Sequence, residues 1–200
     1  MPSVLGALKE QTTRHHQRAE RAVNLMTPGL TPERYAAVLG VNCALHSALE
    51  PVIAGRLRAA LSPDGWAALA VSTQSRLPGL QRDLVALGHR VTPPLPHGGD
   101  HVTSEAAAWG AAYVLEGSAL GGQVVSRHLR AAGFPDAALH FYGSDGQPVG
   151  PRWRTFGRLL ESRYNAAEDP ARFVHDAVRA AQQTFILFET LSAQDAAGSF

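Results

Sequence analysis

Apolar residues recur at three- and four-residue spacing over most of the 200-residue chain, with alanine and leucine prominent among them. No segment sustains the alternation of apolar and polar positions that a half-buried strand requires, so the pattern predicts an all-α fold. Helix starts are marked by Thr31-Pro32-Glu33, Ser62-Pro63-Asp64 and Asp169-Pro170, each a capping residue ahead of proline at the first helical position, and Gly150-Pro151 marks another. Helices are expected near 3–24, 32–60, 63–71, 75–87, 103–132, 151–165 and 170–191. Pro51 falls inside the second, where a missing N–H and a clash with the preceding turn should kink or divide it. Arg90–Asp100 (RVTPPLPHGGD) and Phe141–Gly150 (FYGSDGQPVG) are dense in proline, glycine and polar turn formers and read as surface connections. After Leu191 the chain (SAQDAAGSF) offers little apolar surface, which predicts one domain over 1–192 and a frayed tail over 193–200.

A chain of this length with 45% hydrophobic residues can bury one sizeable core. Eighteen Lys and Arg against 17 Asp and Glu leave a net charge of +1, without the bulk basic signature of a nucleic-acid binder. The single cysteine, Cys43, excludes an intrachain disulfide, a CxxC zinc site and a CxxCH haem attachment, and fits a reducing cytoplasmic setting. The N-terminus meets charge before a secretory apolar run develops, and no later segment is expected to reach the length of a membrane span. A soluble cytoplasmic protein is therefore expected.

The segment from Thr103 to Ala132 carries strong helical patterning and yet contains Gly110, Gly117, Gly121 and Gly122. Each interior glycine costs ~1 kcal/mol relative to alanine, so the fold must draw some compensating benefit from them. Positions 110, 117 and 121, spaced by seven and four, share a face without Cβ atoms. Such a face suits close helix packing or a bend, and equally the close approach of a flat ligand.

The run Tyr113-Val-Leu-Glu-Gly-Ser-Ala-Leu-Gly-Gly122 resembles the distal-helix motif of bacterial haem oxygenases, Y-x-x-E-G-S-x-L-G-G/A. Near the other end, Leu8-Lys-Glu-Gln-Thr12-Thr-Arg-His-His16-Gln-Arg-Ala-Glu20 resembles the family's first helix, L-[KR]-x-x-T-x-x-x-H-x-x-x-E. Arg158–Asn165 and Ala177–Glu189 resemble its last third, so the resemblance spans almost the whole chain and points to the biliverdin-producing, bacteriophytochrome-associated type. It implies a helical bundle with haem b, both cofactor and substrate, between a proximal N-terminal helix and a glycine-rich distal helix.

In that register His16 is the iron ligand, and Glu20, at i+4 on the same face, can accept from the other imidazole nitrogen and fix the tautomer. His15, the rival, should point about 100° away, and the other seven histidines have no comparable context. The resemblance gives Lys9 and Tyr113 contacts to propionates and makes the product biliverdin IXα. Gly117, Ser118, Gly121 and Gly122 would face the macrocycle, with Ser118 at the place where mammalian relatives hold distal water with an aspartate. Phe185 and Phe188 are candidate pocket walls, although aromatics at helical spacing also serve as plain core. Arg154 and Arg158 are candidates for another propionate contact, with Glu161 standing near where mammalian relatives have arginine.

The implied reaction reduces the iron, binds O2 opposite His16, hydroxylates the α-meso carbon and opens the ring, releasing biliverdin, CO and ferrous iron. No flavin or nicotinamide fingerprint is visible, so an external ferredoxin, flavodoxin or reductase would supply electrons. A non-catalytic haem storage or delivery protein, a thiaminase-like hydrolase on the same scaffold and a helical interaction module are the rival readings. The hydrolase would need a reactive cysteine, whereas Cys43 sits on an apolar stretch and reads as buried.

Overall fold

Side-chain caps open the helices where the sequence places them. Thr31, Ser62 and Asp169 accept hydrogen bonds from the backbone N–H groups of Arg34, Gly65 and Arg172, at 3.2, 3.2 and 2.9 Å. Ser3 and Ser104 cap two further helices in the same way. A computed structural model describes residues 3–72, 75–91, 98–143 and 148–196. Among them the elements are α1 (Val4–Val23), α2 (Pro32–Ala60), α3 (Pro63–Ser72), α4 (Leu77–Ala86), α5 (Glu105–Ala131), α6 (His140–Gly143), α7 (Val149–Asn165) and α8 (Pro170–Ala196), with a 3₁₀ turn at Asp136–Ala138. The described residues contain no strand, and the fold is all-α as expected.

Several expectations need correction. The helix through Pro51 is not divided: α2 is continuous, with the proline on its exposed side. α2 is also long and apolar enough to cross a membrane, contrary to the expectation that no segment would be. Its apolarity has another use, because 61% of the apolar stretch is buried inside the protein. The segment expected to be a surface connection from Phe141 begins as core. Phe141 and Tyr142 form α6 and are buried, while residues 144–147 lie outside the described residues, as do 92–97 of the other connection. The last helix does not stop at 191. Leu191 and Ser192 are buried and Asp195 pairs with Arg34 at 3.6 Å, so α8 reaches Ala196; residues 197–200 of the expected frayed tail lie outside the described residues.

Two helices, α5 and α8, organise the bundle. They cross so closely that a Cβ added at Gly110 would lie 1.9 Å from the carbonyl oxygen of Ala177. Around this crossing Trp109, Phe156, Leu160, Ala177 and Ala181 form one apolar core. A second, built from Tyr35, Leu39, Cys43, Leu80, Leu84, Leu129, Phe141 and Tyr142, joins α2, α4, the end of α5 and α6. Cys43 is buried in it, as its apolar surroundings predict. α1 packs along α8 and against α7, and α5 packs against the same two helices, but α1 and α5 make little contact with each other.

A slot between the histidine helix and the glycine helix

We refer to the space bounded by α1 and α5, each seated separately on α8, as the slot. Thr12 of α1 and the Tyr113 hydroxyl of α5 are neighbours across the two faces. Burial raises the Tyr113 phenol above its ordinary pKa. Thr12 is buried and its hydroxyl donates to the Leu8 carbonyl at 2.7 Å. One turn beyond the contact on α1 is His16, and one turn beyond it on α5 is Gly117, so the expected ligand and the expected distal glycine share the facing surfaces.

His16 projects an imidazole that is 56% exposed, with Nδ1 3.5 Å from the Glu20 carboxylate. Phe185 of α8 meets it edge-on at 6.1 Å and lies under His15 in a stacked arrangement at 6.3 Å. His15 differs from His16 in its partner: its Nδ1 is 2.8 Å from the Arg18 guanidinium, which itself pairs with Glu189 of α8 at 3.0 Å. Burial, and then Arg18, lowers the pKa of His15. Lys9 lies on the His16 face and is exposed, and Phe188 is half-buried on α8.

The four glycines of α5 are not equivalent. Gly110 serves the crossing with α8. Gly122 is buried against the Tyr142 carbonyl oxygen, which an added Cβ would approach to 2.7 Å. Gly117 has only the edge of Trp153 near it, 3.9 Å from the position of a Cβ, and Gly121 has open space there. Ser118 is exposed, and its hydroxyl donates to the Leu115 carbonyl at 2.7 Å, leaving the oxygen's lone pairs available to accept. Arg154 and Arg158 are exposed on α7, and Glu161 accepts from the backbone N–H of Leu5 at 3.3 Å, a tie between α7 and α1.

Sequence reasoning missed a buried polar cluster behind the glycine helix. His46 donates from Nδ1 to Glu50 at 2.8 Å, and burial holds the ring's pKa down. Glu50 also accepts from Ser75 and from the backbone N–H of Arg76. The Arg76 guanidinium lies over the Phe141 ring at 4.6 Å and donates to the Phe141 carbonyl. Glu116, next to Gly117, pairs with Arg152 of α7 at 3.2 Å, and burial pushes its carboxyl up to about 7 against the pull of Arg152 and Arg76. Asp83 is buried and accepts from the backbone N–H groups of His140 and Phe141, each at 2.8 Å, as well as from the His140 ring. The one sequence signal was His46 and Glu50 at i,i+4 within the apolar stretch of α2, where a buried polar group needs a partner.

Comparison with known proteins agrees with this architecture. The family model described as heme oxygenase matches residues 3–194. A protein named heme oxygenase from Xanthomonas campestris pv. campestris is 36% identical over 166 residues, covering 82% of this chain and 92% of the relative. Among solved structures, the heme oxygenase of Neisseria meningitidis, described with NO and CO bound, superposes with a TM-score of 0.75 at 19% identity, over 98% of this chain and 92% of that one. Heme oxygenase-1 of the cyanobacterium Synechocystis, solved in complex with heme, gives 0.73 at 16% identity over 98% and 94%. At these identities the superpositions establish the all-α fold, and the match of the family model along nearly the whole sequence establishes that the chain belongs to the heme oxygenase family.

Proposed function

We propose that this haem oxygenase binds haem b in the slot between α1 and α5, with His16 as the iron ligand and the Gly117–Gly121 face of α5 over the opposite side. The observation that carries the reading is the pairing of an accessible imidazole on one helix with a face that lacks Cβ atoms at Gly117 and Gly121 on the other, with Thr12 and Tyr113 as neighbours between them. The residues fit the group. The space beside Gly121 is open, and the Glu20 carboxylate beside His16 Nδ1 favours the tautomer that leaves Nε2 for a metal. Phe185 and Phe188 supply apolar wall from α8. Haem supplies the iron that takes up electrons and O2 and is itself the substrate, cleaved at the α-meso carbon to biliverdin IXα, CO and ferrous iron.

The protein's own contribution is placement and proton management. Lys9 and Tyr113 orient propionates, Lys9 as an exposed cation and Tyr113 as a neutral, partly buried phenol. Gly117 and Gly121 admit the macrocycle close to the backbone, and Gly122 keeps the following turn of α5 against α6. Ser118 accepts hydrogen bonds from water on the distal side, in place of the aspartate of mammalian relatives. Electrons come from a ferredoxin, flavodoxin or reductase in the cytoplasm, and a bacteriophytochrome is one consumer of the product.

Single-turnover spectroscopy tests this reading: hemin is added to the protein, then ascorbate or a ferredoxin–reductase system in air with catalase present. The Soret band should decay into a biliverdin spectrum, and His16→Ala should lose both the native spectrum and turnover. Stoichiometric binding of hemin that survives reduction in air would instead establish storage or delivery, and absence of binding would end the proposal.

A further inference from the structure

Two consecutive residues of α7 meet two consecutive residues of α5 at the slot. Arg152 pairs with Glu116 at 3.2 Å with both side chains largely buried, and Trp153 brings its indole edge to Gly117. The indole is held on its other sides as well. It stacks on Phe156 at 5.4 Å and 22°, Phe156 is fully buried and backed by Trp109, and the Tyr113 ring lies 5.7 Å away. The open face of α5 is consequently lopsided, bounded by an immobilised aromatic at Gly117 and free at Gly121.

We infer that Trp153 is a specificity-determining residue: its indole is a side wall that fixes the in-plane rotation of the macrocycle, and the Arg152–Glu116 hydrogen bond is the positioning contact that keeps the wall in place. This rests on the haem-binding reading of the slot. The four meso edges of a protoporphyrin differ in their peripheral substituents while the ring is nearly square, so anchoring the propionates leaves in-plane orientation to whatever bounds the ring sideways. A wall at one end of the distal face and free space at the other discriminates among rotations by steric exclusion, which flexible cationic anchors alone do poorly. The ring packs against the core but is only partly buried, and its edge stands at a helical position that lacks Cβ, where a ligand on that face would meet it. The contact matters because it ties α7 to α5 beside the wall: with Arg152 removed, the buried Glu116 carboxyl loses its hydrogen-bond donor and α7 loses its anchor next to Trp153.

The test uses the full chain reconstituted with hemin and reads two quantities. One is the set of paramagnetically shifted haem-methyl proton resonances of the ferric complex, which count in-plane orientations without turnover; the other is the isomer composition of the biliverdin formed. Wild type should show one dominant orientation and one dominant isomer. Trp153→Leu should bind hemin stoichiometrically but populate a second orientation to at least a tenth, with a second isomer in matching proportion. Trp153→Phe, which retains most of the wall and the core stacking, should stay near wild type, and Arg152→Met should shift both readouts in the direction of Trp153→Leu. A purely structural role would lower the melting temperature and leave both distributions unmoved. That result in folded Trp153→Leu and Arg152→Met proteins would overturn this inference while the haem-binding reading stands. Failure of wild type to bind hemin would overturn both.

Discussion

Alanine in place of each of two glycines on α5 should have opposite consequences for the apoprotein. At Gly110 a Cβ would sit 1.9 Å from the Ala177 carbonyl oxygen, about 1.5 Å inside ordinary van der Waals contact, and both colliding groups are attached to helix backbone. No side-chain rotamer relieves this, so α5 and α8 must separate along the contact that organises the bundle. Overpacking costs roughly 1–3 kcal/mol where side chains can shift, and a backbone collision belongs at or above the top of that range. Alanine regains ~1 kcal/mol of helix propensity, leaving a net loss of about 2 kcal/mol or more, or roughly 4–8 °C in melting temperature for a chain of this size. At Gly121 nothing stands within 4 Å of the added atom and the backbone is helical, so only the propensity gain remains and the apoprotein should gain up to ~1 kcal/mol. The same methyl occupies the slot, and hemin affinity should fall about five- to a hundredfold, the equivalent of 1–3 kcal/mol of overpacking. Urea unfolding followed by far-UV circular dichroism gives the stabilities, and hemin titration at the Soret band gives the affinities. A Gly110→Ala protein as stable as wild type would refute the close helix crossing. A Gly121→Ala protein with undiminished hemin affinity would refute the placement of the macrocycle on this face.

Other expectations follow from the buried polar groups. Glu116 keeps its proton up to about pH 7 in the folded state, above its ordinary 4.5, so its contribution to stability is complete below pH 4.5 and is lost as the pH rises to about 7, at no more than about 1.4 kcal/mol per pH unit. Glu116→Gln should flatten that part of the apoprotein's stability–pH profile, and an unchanged slope would show that Glu116 ionises normally. Asp83→Ala removes the acceptor shared by two backbone N–H groups and the His140 ring and should cost about 2–4 kcal/mol in denaturant unfolding; a loss below ~0.5 kcal/mol would mean that these groups are otherwise satisfied. Glu20→Ala should weaken hemin binding and broaden the ligand spectrum without unfolding α1, because both His16 and Glu20 are exposed. A folded variant identical to wild type at the Soret band would remove Glu20 from the ligand's support.

Elements and site separate cleanly in how far each can be read from one dimension. Helix starts were legible because capping is local: Thr31, Ser62 and Asp169 satisfy amides three residues away whatever the rest of the chain does. His16 and Glu20, Tyr113 and Gly117 were legible as same-face pairs for the same reason, since one helical turn sets their spacing. The propensity of FYGSDGQPVG for turns was equally local, and it misled, because burial of Phe141 and Tyr142 with anchoring by Asp83 outweighs it. The apolar length of α2 likewise has two meanings in sequence, and only its packing inside the core selects one.

What the sequence determined by itself was the helical class, most helix boundaries and the family motifs, all governed by interactions within about four residues. Tertiary structure alone decided which glycine does which task, for Gly110, Gly117, Gly121 and Gly122 are chemically identical and differ only in what another helix brings against them: the Ala177 carbonyl, the Trp153 edge, open space and the Tyr142 carbonyl. It also decided that Glu116 finds Arg152, thirty-six residues away. The reason is physical: a helix presents the same face in isolation as in the bundle, but steric exclusion and buried charge pairing act between surfaces, and the chain sets those partners only when it closes on itself.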